Sequence, residues 1–164
     1  MVLTKEELIS ALQHESRILV HLAGKVDRTT LDYRPTATQR STLELLQYMS
    51  MMGPTLIEIL HGGDFMQIWR PAEEAAKALS FDQAVAAIER QAEEYARLLN
   101  GWKDSEFREQ IDLFGNKSTR GAMMVNLVLG GHAAYRTQLF GYLKACGRSE
   151  LNTMNLWAGQ DGPA

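Results

Sequence analysis

Cysteine is almost missing from this chain: among 164 residues only Cys146 carries a thiol. One cysteine cannot close an internal disulfide, so the chain suits a reducing compartment or holds an indifferent thiol. Basic charge is not in surplus either, since 17 lysines and arginines face 20 acidic residues for a net charge of -3. That excludes the basic footprint of a nucleic-acid binder and disfavours anionic membranes. Long hydrophobic runs are absent. A span needs roughly 20 apolar residues, and the longest weakly polar run, 121–131, is broken by Asn126. The opening MVLTKEELIS carries Lys5, Glu6 and Glu7 where a signal peptide needs an apolar core. The sequence also lacks GxSxG, P-loop, GxGxxG, CxxC and HExxH motifs, tandem repeats and low-complexity tracts. The expectation is a cytoplasmic protein with neither nucleic acid nor membrane as partner.

What remains is ordinary globular composition, 45% hydrophobic and 23% charged, arranged with helical periodicity in four places. The expected fold is all-α, an antiparallel four-helix bundle over residues 1–164 as a single domain, with 148–164 as an extended C-terminal tail. The first helix starts at Thr4, with Glu7 completing a capping box, and carries Leu8, Leu12, Leu19, Leu22 and Val26. Glu15 falls inside that stripe and reads as an edge residue, with burial against Arg136 or a tyrosine as the alternative. The second starts at Ser41 with Glu44, and its stripe is Leu45, Tyr48, Met49, Met52, Leu56 and Ile59. Gly53-Pro54 interrupts it and implies a kink, since proline removes a backbone donor. The third starts near Ser80 with Gln83, and its seam from Phe81 to Trp102 alternates steps of four and three. The fourth runs from about Ser118 to Cys146, with an inner stripe of Met124, Val128, Gly131, Tyr135, Leu139 and Tyr142 and Gly147 as C-cap. Residues 27–40 and 62–79 read as long loops, the latter with a helical turn at 72–79. Residues 102–117 hold a short strand or hairpin.

A metal site needs at least three converging donors. His14, His21, His61 and His132 form no HxxxH pair, and the first three read as surface or helix-edge residues. Met49, Met51, Met52, Met123 and Met124 read as core filler. Trp69 and Trp157 read as loop anchors or dimer contacts. Cys146, at a helix C-terminus, meets the negative dipole end, which discourages thiolate formation and with it catalysis.

Two sets of residues resemble one family. Tyr33-Arg34-Pro35, Gln39-Arg40-Ser41 and Glu44-Leu45-Leu46 are similar to the DinB/YfiT-like superfamily pattern that leads into its second helix, RP…Q-S…ELL-x-H-L. Gly131-His132-Ala133-Ala134-Tyr135-Arg136-Thr137-Gln138, then Tyr142-Leu143 and Gly147, resembles the family's HxxxHRGQ…YL…G. Asn155-Leu156-Trp157 is similar to the tail of some members, and the resemblance covers nearly the whole chain. It implies an antiparallel four-helix bundle, a homodimer, and in many members a divalent metal on three histidines. Some members are transferases or isomerases that use low-molecular-weight thiols. By that alignment the three histidine positions fall on Tyr48, Gly131 and Tyr135, and Arg136 and Gln138 match the family's R-x-Q. His132 is one residue from Gly131, about 100° around the helix, and is expected to point elsewhere.

Glycine has no donor, and a phenol with a solution pKa of about 10 is a poor ligand for Zn or Ni at neutral pH. The expectation is a degenerate metal site without a cofactor, a divalent metal such as Ni or Zn being the alternative. Tyr48, Met52, Gly131, His132 and Tyr135 are the candidate pocket residues. The function read from this is a small-molecule-binding or interaction protein. The alternatives are a metal- and thiol-dependent S-transferase or isomerase of the same superfamily, and a structural dimer module.

Overall fold

The computed structural model describes residues 3–162. Four long helical segments make an antiparallel bundle: α1 (Lys5–Ala23), α2 (Thr42–Leu60), α4 (Phe81–Asn100) and a last segment from Arg120 to Ala145. Between them lie α3 (Phe65–Lys77) and a hairpin of β1 (Gln110–Leu113) and β2 (Asn116–Thr119). A short α7 (Thr153–Ala158) follows the bundle. Thr4, Ser41 and Ser80 each start a helix through a reciprocal capping box with Glu7, Glu44 and Gln83. The hydroxyl accepts one orphan helix N–H while the side chain at the third position accepts the cap's own N–H.

The bundle interior holds two large apolar clusters separated by a polar layer, and a smaller third one lies between α2 and α3. One end holds Ile18, Leu19, Leu22, Leu45, Leu46, Met49, Ile88 and Leu139. The other holds Leu8, Leu12, Ile57, Leu60, Leu99, Met124 and Val128. Between them in sequence, each long helix contributes something other than an aliphatic side chain: Glu15 and Ser16, Gly53, Gln91, and His132 with Arg136, all buried.

Helix α2 continues as one helix through Gly53 and Pro54. The reason is a side chain from another helix. Proline has no N–H for the carbonyl four residues back, which is Ser50. Gln91 of α4 donates its amide to Ser50 O at 2.9 Å and Met49 O at 2.8 Å. The gap in the ladder is thus filled across the bundle, satisfying the buried carbonyl.

Three expectations are corrected by the structure. The loop expected over 62–79 contains α3. Asp64 caps it by accepting the Gln67 N–H at 2.9 Å, and Trp69, Ala72 and Ala76 pack on Met51 and Met52. The tail expected to be extended forms α7, started by Asn152 and stopped by Gly159 at φ 62°. The inner stripe of the last helix also shifts. That helix opens as α5 (Arg120–Met123), widens into a π-helical stretch over Met124–Leu129, and continues as α6 (Gly130–Ala145). A π turn takes an extra residue, so the buried positions after Val128 are His132 and Arg136 instead of Gly131 and Tyr135.

The expected hairpin is present, with Leu113 opposite Asn116, so Phe114-Gly115 is a two-residue turn. Both turn residues have positive φ, 56° and 79°.

Candidate functional site

The π turn that brings His132 inward leaves Gly131 and Tyr135 facing outward over α2. There they meet Tyr48 and Met52, and a groove of about 550 Å³ opens between α2, α6, α3 and the hairpin. Gly131 has a physical reason to lack a side chain: a Cβ would lie 3.0 Å from Met52 Sδ. Of the five candidate pocket residues, Tyr48, Met52, Gly131 and Tyr135 line this groove. His132 does not, a correction to its place in that set: it points into the bundle interior and is fully buried.

One wall of the groove is a continuous series of aromatic rings. Phe114 stands edge-on to Phe65 at 4.8 Å, Phe65 stacks with Trp69 at 5.4 Å, and Trp69 tilts against Tyr48 at 5.9 Å. Tyr48 then meets Tyr135 edge-on at 4.9 Å. Among the described residues no charged residue and no histidine lines the groove; its polar side chains are the two phenols, the Trp69 indole and the amides of Asn116 and Asn126. Burial and the adjacent Tyr135 hydroxyl hold the Tyr48 phenol above its ordinary pKa, so it is neutral near pH 7. The far face of the Tyr48 ring carries the Arg40 guanidinium, 3.9 Å from the centroid.

Phe65, Leu113, Phe114 and Asn126 were not singled out as site residues from the sequence. Phe65 and Trp69 became wall residues because a helix forms where a loop was expected. The spacing Phe65, Ile68, Trp69, Ala72, Ala76 behind a capping aspartate was the available signal, obscured by Gly62-Gly63 and by Pro71. Phe114 reaches the groove only because the hairpin folds back, which no local pattern reports.

Inside the bundle, His132 Nε2 bonds the Tyr95 hydroxyl, which donates to Gln91 Oε1 at 3.2 Å. His132 Nδ1 has no hydrogen-bond partner among the described residues. Burial, with Arg136 adding to it, pushes the His132 pKa down to about 4. The same burial raises Tyr95 well above its ordinary value. Beside this chain, Arg136 Nε lies 2.8 Å from Glu15 Oε2, oriented as an ion pair without an aligned hydrogen bond. Glu15 is therefore a buried partner of Arg136 and not the edge residue expected.

A pH dependence follows. An unfolded histidine titrates near about 6.5. Between that value and about 4 the unfolded chain binds a proton that folded His132 refuses, so stability falls as pH falls. About 3 kcal/mol should be lost across that window. Glu15, held above the usual carboxylate range by burial despite Arg136, acts in the opposite direction. The check is therefore a comparison of urea midpoints from pH 7.5 to 4.5 for wild type and His132→Gln. Equal slopes would show that His132 is not the acid-sensitive group.

No family model matches the sequence, and neither does any curated protein sequence. Among solved structures, the crystal structure of YjoA, a DinB-like protein from Bacillus subtilis, superposes with a TM-score of 0.70. The match covers 88% of this chain and 95% of that one at 19% identity. The chain has a DinB-like fold.

Within this DinB-like fold the remaining sequence candidates are dispersed. His14 Nε2 lies 3.1 Å from Trp157 O, and His21 Nε2 lies 3.1 Å from Asn155 Nδ2, so both tie α1 to α7. His61 stacks on Trp102 at 4.6 Å near Glu106. Among the described residues, no three of His, Cys, Asp and Glu converge on one point. Gln138 donates to the Tyr142 hydroxyl, which donates to Arg40 O at 2.9 Å. Arg136 donates to Leu156 O and lies 5.2 Å from the Trp157 ring centroid. The family-like R-x-Q pair therefore anchors loops and the C-terminal helix. Trp157 itself is 64% exposed, and the buried anchor of that segment is Asn155. The five methionines read as core filler are all buried, although Met52 and Met123 also line the groove. Among the described residues no helix is long and apolar enough to cross a membrane.

Proposed function

We propose that this protein belongs to the DinB/YfiT-like superfamily, has given up its three-histidine metal centre, and binds a small neutral, largely apolar molecule in the groove. The observation that carries this reading is the lining. The positions aligned with the family's histidines, Tyr48, Gly131 and Tyr135, lie together on one groove to which the described residues contribute no imidazole and no charged side chain. Such a donor set does not fit a resident divalent ion. Gly131 offers nothing, the Tyr48 phenol stays protonated, and a thioether and two amides are weak ligands for Zn or Ni. The one well-buried imidazole has its Nε2 occupied by Tyr95. The groove's size and apolar walls match those of small-molecule sites, which span roughly 300–1,000 Å³ and carry a few placed polar groups.

The test has two arms. Protein purified without chelator or histidine tag should contain far less than one equivalent of Zn, Ni or Fe by mass spectrometry. Adding those ions or glutathione should leave its Tm unchanged, whereas neutral aromatic and aliphatic compounds should raise it. A stoichiometric ion, or a thiol-dependent shift that requires one, would replace this reading with the metal-dependent transferase.

A further inference from the structure

Phe114 occupies a position that its side chain disfavours. The turn pairs Leu113 with Asn116, and its two central residues have φ 56° and 79°, the mirror-image turn favoured in tight hairpins. That turn prefers asparagine followed by glycine, because short polar side chains tolerate left-handed backbone and bulky ones do not. Gly115 fits its place; Phe114 does not, and it is the only non-glycine residue with positive φ among the described residues. Nor does burial compensate the ring, which is 75% exposed. The turn is otherwise well made, with Asp112 Oδ1 accepting the Gly115 N–H at 2.8 Å. A strained, solvent-exposed aromatic is not explained by stability, and such outliers gather where a ligand is handled.

Its surroundings give it a task. The ring stands at the mouth of the groove, perpendicular to Phe65 at 81°, while Phe65 and Trp69 lie nearly parallel at 13°. Resting on the reading that the groove binds a small neutral molecule, we propose that Phe114 is its specificity-determining lid. It closes over a flat, uncharged aromatic ring system seated against Phe65 and Trp69, whose one polar substituent meets Asn126 or Tyr135. Charge argues for neutrality, because among the described residues no cation or anion in the lining would balance a charged ligand. Aromatic walls argue for a flat ring, since offset and edge contacts add affinity beyond burial.

Phe114→Asn separates the lid from the scaffold, because it installs the residue that the turn prefers. The probe is N-phenyl-1-naphthylamine, a neutral aromatic fluorophore, with 1-decanol as aliphatic competitor. Phe114→Asn should raise Tm by a few degrees while weakening the probe roughly three- to tenfold. Phe114→Leu, which keeps the strain and loses the ring, should weaken the probe comparably without the gain in Tm. Decanol affinity should change little in either variant. Equal probe affinity in wild type and both variants overturns the lid and leaves the groove reading standing. No probe or decanol binding by wild type overturns both. Weaker probe binding with a lowered Tm in Phe114→Asn makes the ring a scaffold element and overturns the lid. Light scattering completes the test: a wild-type dimer that excludes the probe and dissociates in Phe114→Asn assigns the groove to a second copy and overturns the proposal.

Discussion

Gly53→Ala is expected to destabilise the protein by about 3–5 kcal/mol, although alanine normally favours a helix interior by about 1 kcal/mol. The sign is reversed by what α2 touches at that point. A Cβ on residue 53 would overlap the Tyr95 hydroxyl and sit 2.7 Å from His132 Nε2. Both rings are fully buried, and a close-packed interior gives them nowhere to go. Displacing Tyr95 also loosens Gln91, whose amide serves the carbonyl that Pro54 leaves unpaired. Overpacking strain of roughly 1–3 kcal/mol is thus joined by unmet buried polar groups, about 1–3 kcal/mol each. Urea unfolding measures the loss. Gly53→Ala combined with Tyr95→Phe, which removes the overlapping oxygen, should be more stable than Gly53→Ala alone, with a coupling above about 1 kcal/mol. A Gly53→Ala protein within about 1 kcal/mol of wild type would mean that this layer is not rigidly packed.

Arg136→Met should cost a similar amount, about 3–5 kcal/mol, by leaving the Glu15 carboxylate buried without its cation. The variant carries its own signature in pH. Glu15 already sits above the usual carboxylate range because burial outweighs Arg136, and without the arginine its folded pKa rises further. A group whose folded pKa is raised binds its proton more readily folded than unfolded, so the deficit relative to wild type should shrink as pH falls from 7 to 5. Pairing Glu15→Met with Arg136→Met removes both charges and should recover most of the loss. Because Arg136 also donates to Leu156 O and lies near the Trp157 ring, amide exchange in α7 should accelerate in the single variant. Exchange unchanged in α7, with stability intact at pH 7, would remove the pair from the account of the fold.

Both sites belong to the polar layer between the two apolar clusters. A layer of this kind is a poor source of net stability, yet it opposes any sliding of the helices, since a shift would strand each polar group against aliphatic neighbours. Ser16 donates to Leu12 O, Gln91 spans to α2, His132 meets Tyr95, and Arg136 meets Glu15.

The bundle itself was legible in the residues. Thr4 with Glu7, Ser41 with Glu44 and Ser80 with Gln83 mark helix starts through bonds made within four residues of chain, so no distant partner is needed to read them. The apolar periodicity of α1, α2 and α4 follows from the same local geometry, and the hairpin before the last helix from its short alternation. The groove was legible only in part. Tyr48, Met52, Gly131 and Tyr135 could be placed together from their spacing and from a family resemblance. The aromatic wall could not, because Phe65 and Trp69 lay in an apparent loop and Phe114 depends on how a hairpin folds back.

What the sequence alone determined is where the four long bundle helices lie, which face of the first three is apolar, and that no internal disulfide staples the chain. Only the tertiary structure decided that His132 and Arg136 turn inward while Gly131 and Tyr135 face the groove. Helical periodicity assumes a constant number of residues per turn. The wide turn over Met124–Leu129 breaks that assumption by one residue, and the partners that make the buried imidazole and guanidinium tolerable, Tyr95 and Glu15, come from other helices far away in the chain.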